Sequence, residues 1–218
     1  MVTKRKAIKM RDGEQTQRDL LEAVGKILSE HGFRGLNTKN ITDQIGKDKN
    51  IIRYHFKSLK ELEKAYINEK DYWPPFFKRF NLGLSPDREK VEAMFTELMQ
   101  ENFRYFFNNK EMQQIILWQI SEANPLLRRI SENRETEGAK LLQLTDPFFE
   151  GSNISFRALL ALVLGGIYYV TLHARYNKST VSGIDVNNAE DHKEVIKTIG
   201  QVLGWAWQAA GEKTVTKN

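Results

Sequence analysis

The sequence predicts an all-α protein. A three-helix head with a helix-turn-helix leads into a larger helical body, about nine helices in all. Three observations predict this. Apolar residues recur at helical spacing along most of the chain, with no sustained strand-like alternation. Two short apolar-faced stretches flank a turn at Gly46, which is the helix-turn-helix pattern. Charge is also divided: residues 1–60 hold fourteen Lys+Arg against seven Asp+Glu, while residues 61–218 hold nineteen against twenty-one, within a net +5. A basic first quarter on a near-neutral remainder is the footprint of a nucleic-acid-binding head on a body with another task.

In chain order, residues 1–13 form a basic arm with Lys4, Arg5, Lys6, Lys9 and Arg11, of a kind that can enter a minor groove. Thr16 to His31 is the first helix, with Leu20, Leu21, Val24, Ile27 and Leu28 on one face. Gly32 ends it, and Phe33 is expected to fold back on Leu28. In the next helix Ile41 and Ile45 share a face, and Gly46 suits the left-handed residue that closes it. Asp48 can cap the following helix, whose buried face is Ile52 and Phe56.

Opposite that face lie Lys49, Asn50, Arg53, Tyr54 and His55, with Lys57 just beyond. All can donate to phosphate or read base edges. Tyr54 and His55 are assigned to phosphate, and Ile51 to a thymine methyl. Thr38 and Lys39, at the start of the preceding helix, complete the DNA-facing set.

Ser58 can cap a connecting helix that runs to Pro74-Pro75, where the prolines are expected to stop it. The domain boundary is placed within it: residues 1–62 are arm and head, residues 63–218 the body. The body helices are expected over Pro86–Asn108, Lys110–Ala123, Pro125–Leu144, Phe156–Asn177 and Asp191–Ala210. Met112, Ile115, Ile116 and Ile120 should point inward on the second of these, with Trp118 at the margin. The helix from Phe156 is apolar on most of its circumference, and Gly165 and Gly166 allow a close neighbour.

Several function classes find no support. With no cysteine there is no disulfide, thiolate nucleophile or Cys-based metal site. His31, His55, His173 and His192 lie far apart and match no metal spacing. No Gly-rich phosphate loop or nucleophile elbow occurs. No enzyme activity, cofactor or metal is therefore expected. No secretory signal is visible, and the uncharged run Ala158–Leu172, fifteen residues, is short for a membrane span of about twenty. A cytoplasmic protein without membrane contact is expected. The alternatives are an architectural DNA-binding protein without effector, and a helical small-molecule enzyme assembled from distant residues.

From about Thr16 to Ala65 the chain resembles the TetR family of bacterial transcriptional repressors. Glu30-His31-Gly32-Phe33, Thr38, Ile41, Gly46, Tyr54-His55-Phe56, Ser58, Glu61 and Leu62 carry the resemblance, in order and without insertion. Lys47, Asp48, Arg53 and Leu59 depart from the family's usual residues, which bears on the operator sequence. The resemblance implies a homodimer on a palindromic double-stranded DNA operator, formed through the last two long helices. Gly165, Gly166, Leu203 and Trp207 are the candidate interface residues. It also implies a pocket in the body for a small-molecule effector, with Phe103, Phe107, Trp118, Tyr168, Tyr169 and His173 as candidate lining.

Overall fold

The computed structural model describes residues 2–79 and 87–215, with side chains from 12 to 79 and 87 to 212. The side chains of the basic arm and Pro86 lie outside the described residues. The described residues are helical, with no strand beyond one isolated bridge between Val181 and Ile184. The chain forms two compact units, residues 1–71 with 110–126, and residues 72–109 with 127–218. It passes between them after residues 71, 109 and 126. This division differs from the boundary expected at residue 62: all of the connecting helix and a helix from mid-chain group with the head.

The first unit contains α1 (Val2–His31), α2 (Thr38–Ile45), α3 (Asn50–Phe56), α4 (Leu59–Lys70) and α7 (Lys110–Ser121). Leu20, Val24 and Leu28 of α1 meet Ile41, Ile52, Leu62 and Tyr66 in a fully enclosed core. Gly32 ends α1 at φ 66°, its amide donating to the Leu28 carbonyl at 3.0 Å. Phe33 then stacks on Trp118 of α7. α7 approaches α1 closely at Gly25, where an added Cβ would lie 2.7 Å from the Glu111 carboxylate. Met112, Ile115 and Ile116 are buried as expected, but Ile120 is 66 % exposed. It sits in the last turn of α7, one residue from its end.

α4 stops at Lys70 rather than at the prolines, because Asp71 turns extended (φ −69°, ψ 110°). Pro74 and Pro75 instead fall in the first turn of a separate short helix, α5 (Trp73–Arg79). In a first turn the missing proline amides have no intrahelical partner to lose, so prolines start a helix there.

The second unit contains α5, α6 (Arg88–Asn108), α8 (Pro125–Leu142, whose first two residues group with the head), α9 (Asp146–Phe149), α10 (Phe156–Leu172) and α11 (Ala189–Val215). The short α5 and α9 are the helices that patterning did not separate. Val91, Met94, Phe95, Leu98, Met99, Phe103 and Phe106 make the buried stripe of α6, which packs on α10 and α11. Phe148, Phe149 and Phe156 surround Trp207, with ring centroids at 5.5, 4.7 and 5.5 Å. α10 continues as a π-helical turn, His173–Asn177. Together they make 22 residues, whose most apolar 18-residue stretch has a mean hydropathy of 1.5, long and apolar enough to cross a membrane, and only 28 % of that stretch is buried within the chain.

Candidate DNA-binding face and body sites

The geometry of α2 and α3 follows from local chemistry. Asn37 caps α2, its side chain accepting from the Asn40 amide at 2.9 Å. Gly46 closes α2 in the left-handed conformation (φ 63°, ψ 36°). Asp48 accepts from the Asn50 amide at 2.8 Å and so fixes the entry to α3. Ser58 caps α4, accepting from the Glu61 amide at 3.2 Å. The cap at Ser58 was legible in the sequence; the cap of α3 expected at Asp48 differs, since the N-cap is Lys49 without a side-chain bond and Asp48, one residue earlier, closes a turn on the Asn50 amide. The cap at Asn37 was missed, although an Asn before an apolar-faced helix is its ordinary signal.

Ile52 faces inward at 2 % exposure, so α3 presents its opposite face to solvent. On that face Lys49, Asn50, Arg53 and Lys57 are exposed, and Tyr54 is 83 % exposed. His55 is half-buried, in edge contact with Tyr54 (4.8 Å, 84°), and its ring faces Gly13 of α1. Ile51 and Thr38 are half-exposed. Lys39 is exposed and paired with Asp43 at 2.6 Å, which holds its ammonium above the ordinary lysine pKa through that hydrogen bond and charge. All nine sequence-predicted residues lie in the first unit, seven on or flanking α3 and Thr38 and Lys39 at the start of α2. Lys57 ends α3 at φ 69°, a conformation that side chains with a Cβ adopt at a cost.

The candidate body residues divide. Phe103 is fully buried in the second unit, in contact with Phe107 (6.2 Å) and stacked on His192 at 4.7 Å. The Phe107 ring is capped by Arg175, 4.1 Å above its centre. Tyr168 packs on Phe106 at 4.6 Å and meets the hydroxyl of Tyr72 at 3.5 Å. Burial pushes both phenols above the ordinary tyrosine range. Trp118 does not line the body: it belongs to the first unit and stacks on Phe33. Tyr169 (58 % exposed) and half-exposed His173 face outward on α10, 5.4 Å apart, away from the interior. Periodicity placed these three on helices without showing which neighbour each helix faces.

The candidate interface residues divide too. Gly165 and Gly166 are exposed, with nothing within 4 Å of where a Cβ would stand. They belong to an outward stripe on α10 with Ala158, Ala161, Leu162 and Tyr169. Leu203 and Trp207, by contrast, are fully enclosed in their own unit and have no surface to offer a second chain. The outward aromatic on α11 is Trp205, 61 % exposed.

Among solved structures, the chain resembles a Clostridium perfringens protein described as a fatty acid metabolism regulator (TM-score 0.63, 15 % identity, covering 85 % of this chain and 97 % of that one). It also resembles the transcriptional regulator FadR of Bacillus subtilis in complex with stearoyl-CoA (TM-score 0.59, 12 % identity, 88 % and 98 % covered). A third is a Vibrio parahaemolyticus protein described as a TetR-family transcriptional regulator (TM-score 0.55, 11 % identity, 85 % and 97 % covered). The chain has the TetR-family fold. No family profile and no curated sequence relative matches it. In the terms of the TetR fold, α2 and α3 are its helix-turn-helix, and α10 and α11 its last long helix pair. Among the described residues no group of metal-binding side chains gathers.

Proposed function

We propose that the protein is a ligand-responsive transcriptional regulator of the TetR type, a cytoplasmic repressor that binds a palindromic DNA operator as a homodimer. The observation that carries this reading is the α3 face: Lys49, Asn50, Arg53 and Tyr54 stand exposed together beside a turn set by Gly46 and Asp48. A recognition helix in a major groove needs this arrangement. Arg53, Tyr54, His55 and Lys57 hold phosphate, with Thr38 and Lys39 alongside. Ile51 meets a thymine methyl and Asn50 a base edge.

The outward stripe of α10 supports the dimer. A helix this apolar that lies only 28 % buried over its most apolar stretch needs a partner. Small residues at 158, 161, 165 and 166 let a second helix approach closely. A two-fold dimer also matches two half-sites. The same helix could instead lie in lipid by composition alone. The stripe is one-sided, with Ile167, Thr171 and Leu172 turned into the unit, which favours a protein partner.

The effector reading rests on the body, a second compact unit that a purely architectural DNA binder does not require. The similar solved structures include regulators described for fatty acid metabolism and one in complex with stearoyl-CoA, which supports a small-molecule ligand without fixing its class. The test is fluorescence anisotropy with a random-sequence duplex. The protein should bind with steep salt dependence, and Lys49→Ala with Arg53→Ala should weaken binding on all sequences and shrink the salt slope by about 0.9 per lost phosphate contact. Equal binding by the variant would reject α3 as the DNA-facing helix.

A further inference from the structure

The interior of the second unit holds polar atoms that its own chain leaves unpaired. Asn102 is fully enclosed on the buried face of α6. Its Nδ2 donates to the Tyr72 hydroxyl, and its Oδ1 has no partner. Thr171 of α10 is equally enclosed, and its hydroxyl oxygen also has no partner. α6 and α10 pack together. Tyr168 lies three residues before Thr171, hence on the same face, and its hydroxyl is 3.5 Å from that of Tyr72. An amide and two phenols thus meet where α6 packs on α10, and the Thr171 alcohol stands on the same face of α10 as Tyr168. Aromatic rings wall them: Tyr105 lies 4.3 Å from the Tyr72 ring, Trp73 5.1 Å from it, and Phe106 4.6 Å from Tyr168.

Buried polar atoms are nearly always paired, and an exception calls for an occupant. A metal cation finds no ligand set among the described residues. A carboxylate meets Asn102 Oδ1 as acceptor against acceptor as the amide stands, and finds a donor, Nδ2, only with the amide turned over. A hydroxyl fits in either orientation of the amide. It donates to Oδ1 as the amide stands. Were the amide turned over, Tyr72 would donate to Oδ1 and the hydroxyl would accept from Nδ2. The same dual character suits Thr171. The walls then receive an apolar or aromatic remainder.

We infer that Asn102 and Thr171, with Tyr72 and Tyr168, form the polar subsite of the effector pocket, and that the effector is an uncharged, mainly apolar molecule held through a hydroxyl group. This rests on the regulator reading above. It disfavours a simple acyl chain, which offers no donor to Asn102 Oδ1 as the amide stands. The Arg134 guanidinium acts electrostatically on both phenols and would favour a carboxylate, so a carboxylate is the rival to test.

The probes are 4-propylphenol, its methyl ether and 4-propylbenzoate, titrated calorimetrically into the full chain, with melting temperature as a second readout. The phenol should bind at least tenfold more tightly than either analogue and raise the melting temperature. In Asn102→Leu and in Thr171→Val, both near-isosteric, that preference should fall below twofold. Tyr168→Phe keeps the ring packing, so it serves where Asn102→Leu does not fold, and it should lower the preference several-fold. Absence of binding by the wild type, as expected if only water occupies the site, would overturn the inference. So would equal binding of the ether or benzoate, or a preference that survives in the variants. DNA binding measured on the same preparation without probe separates the two readings: its loss rejects the regulator, whereas the ligand preference is read without DNA.

Discussion

Trp118 lies parallel to Phe33, with 5.8 Å between ring centroids and 3° between planes. Through this stack α7, from mid-chain, becomes part of the unit that carries α2 and α3. Lys70 adds an ion pair to Glu111 of the same helix at 3.3 Å, half-exposed and so worth little by itself. Trp118→Ala should therefore destabilise the head by about 3–5 kcal/mol, the usual cost of a buried Trp or Phe truncation. Denaturation of a fragment with residues 1–71 alone, which also lacks buried Met112, Ile115 and Ile116, should show a larger loss. A fragment as stable as the head in the whole chain would remove α7 from that unit.

Lys57 offers a substitution whose two effects have opposite sign. Its φ of 69° favours glycine, so Lys57→Gly should stabilise the head by about 1 kcal/mol. It also removes a cation from the end of α3, so DNA binding should weaken and its salt slope should shrink. Chemical denaturation and binding titrations on one preparation check both. A variant less stable than the parent would mean that the lysine side chain has a packing role.

The α10 stripe and the α11 core call for different outcomes from the same substituent. Gly166 has open space around it, so Gly166→Arg should leave the protomer folded and give monomers by sedimentation. Leu203 is fully buried, so Leu203→Arg should unfold the second unit, because an unpaired buried charge costs several kcal/mol. Folded, dimeric Gly166→Arg protein would move the interface off α10.

His192 should contribute acid sensitivity to the second unit. Burial holds its pKa below the ordinary histidine value, helped by Arg104 and Arg175, against a hydrogen bond with the Val186 backbone. The folded state therefore takes up its proton at lower pH than the unfolded chain does. Stability from this group is complete above the ordinary histidine pKa and declines as pH falls below it. Urea midpoints at pH 7.5 and pH 5 should show a drop that shrinks in His192→Gln. An unchanged drop would assign the acid response to other groups.

Much of the first unit was legible because its signals are local. Ile41, Gly46, Asp48 and Ile52 lie within twelve residues, and the turn chemistry fixes what each must do. The Phe33–Trp118 stack has no local signature, so α7 was assigned to the body by its place in the chain. On α11, Trp205 and Trp207 fall on opposite sides of an apolar helix, and periodicity alone does not say which side faces its own unit. On α6, Asn102 sits inside an otherwise apolar stripe, and an apolar count passes over it although it is the most enclosed polar residue there. The sequence reading also took Pro74-Pro75 as a stop, when the chain uses the pair to begin α5.

The central claim is that α3 reads DNA as one of a symmetric pair. Selection of bound duplexes from a random pool by the purified full chain tests it most directly. The account predicts an enriched palindrome with half-site centres about one helical turn, roughly 34 Å, apart, and with conserved A·T pairs where Ile51 would meet a thymine methyl. A pool that remains random after repeated rounds, or one that yields a single asymmetric site, would contradict it.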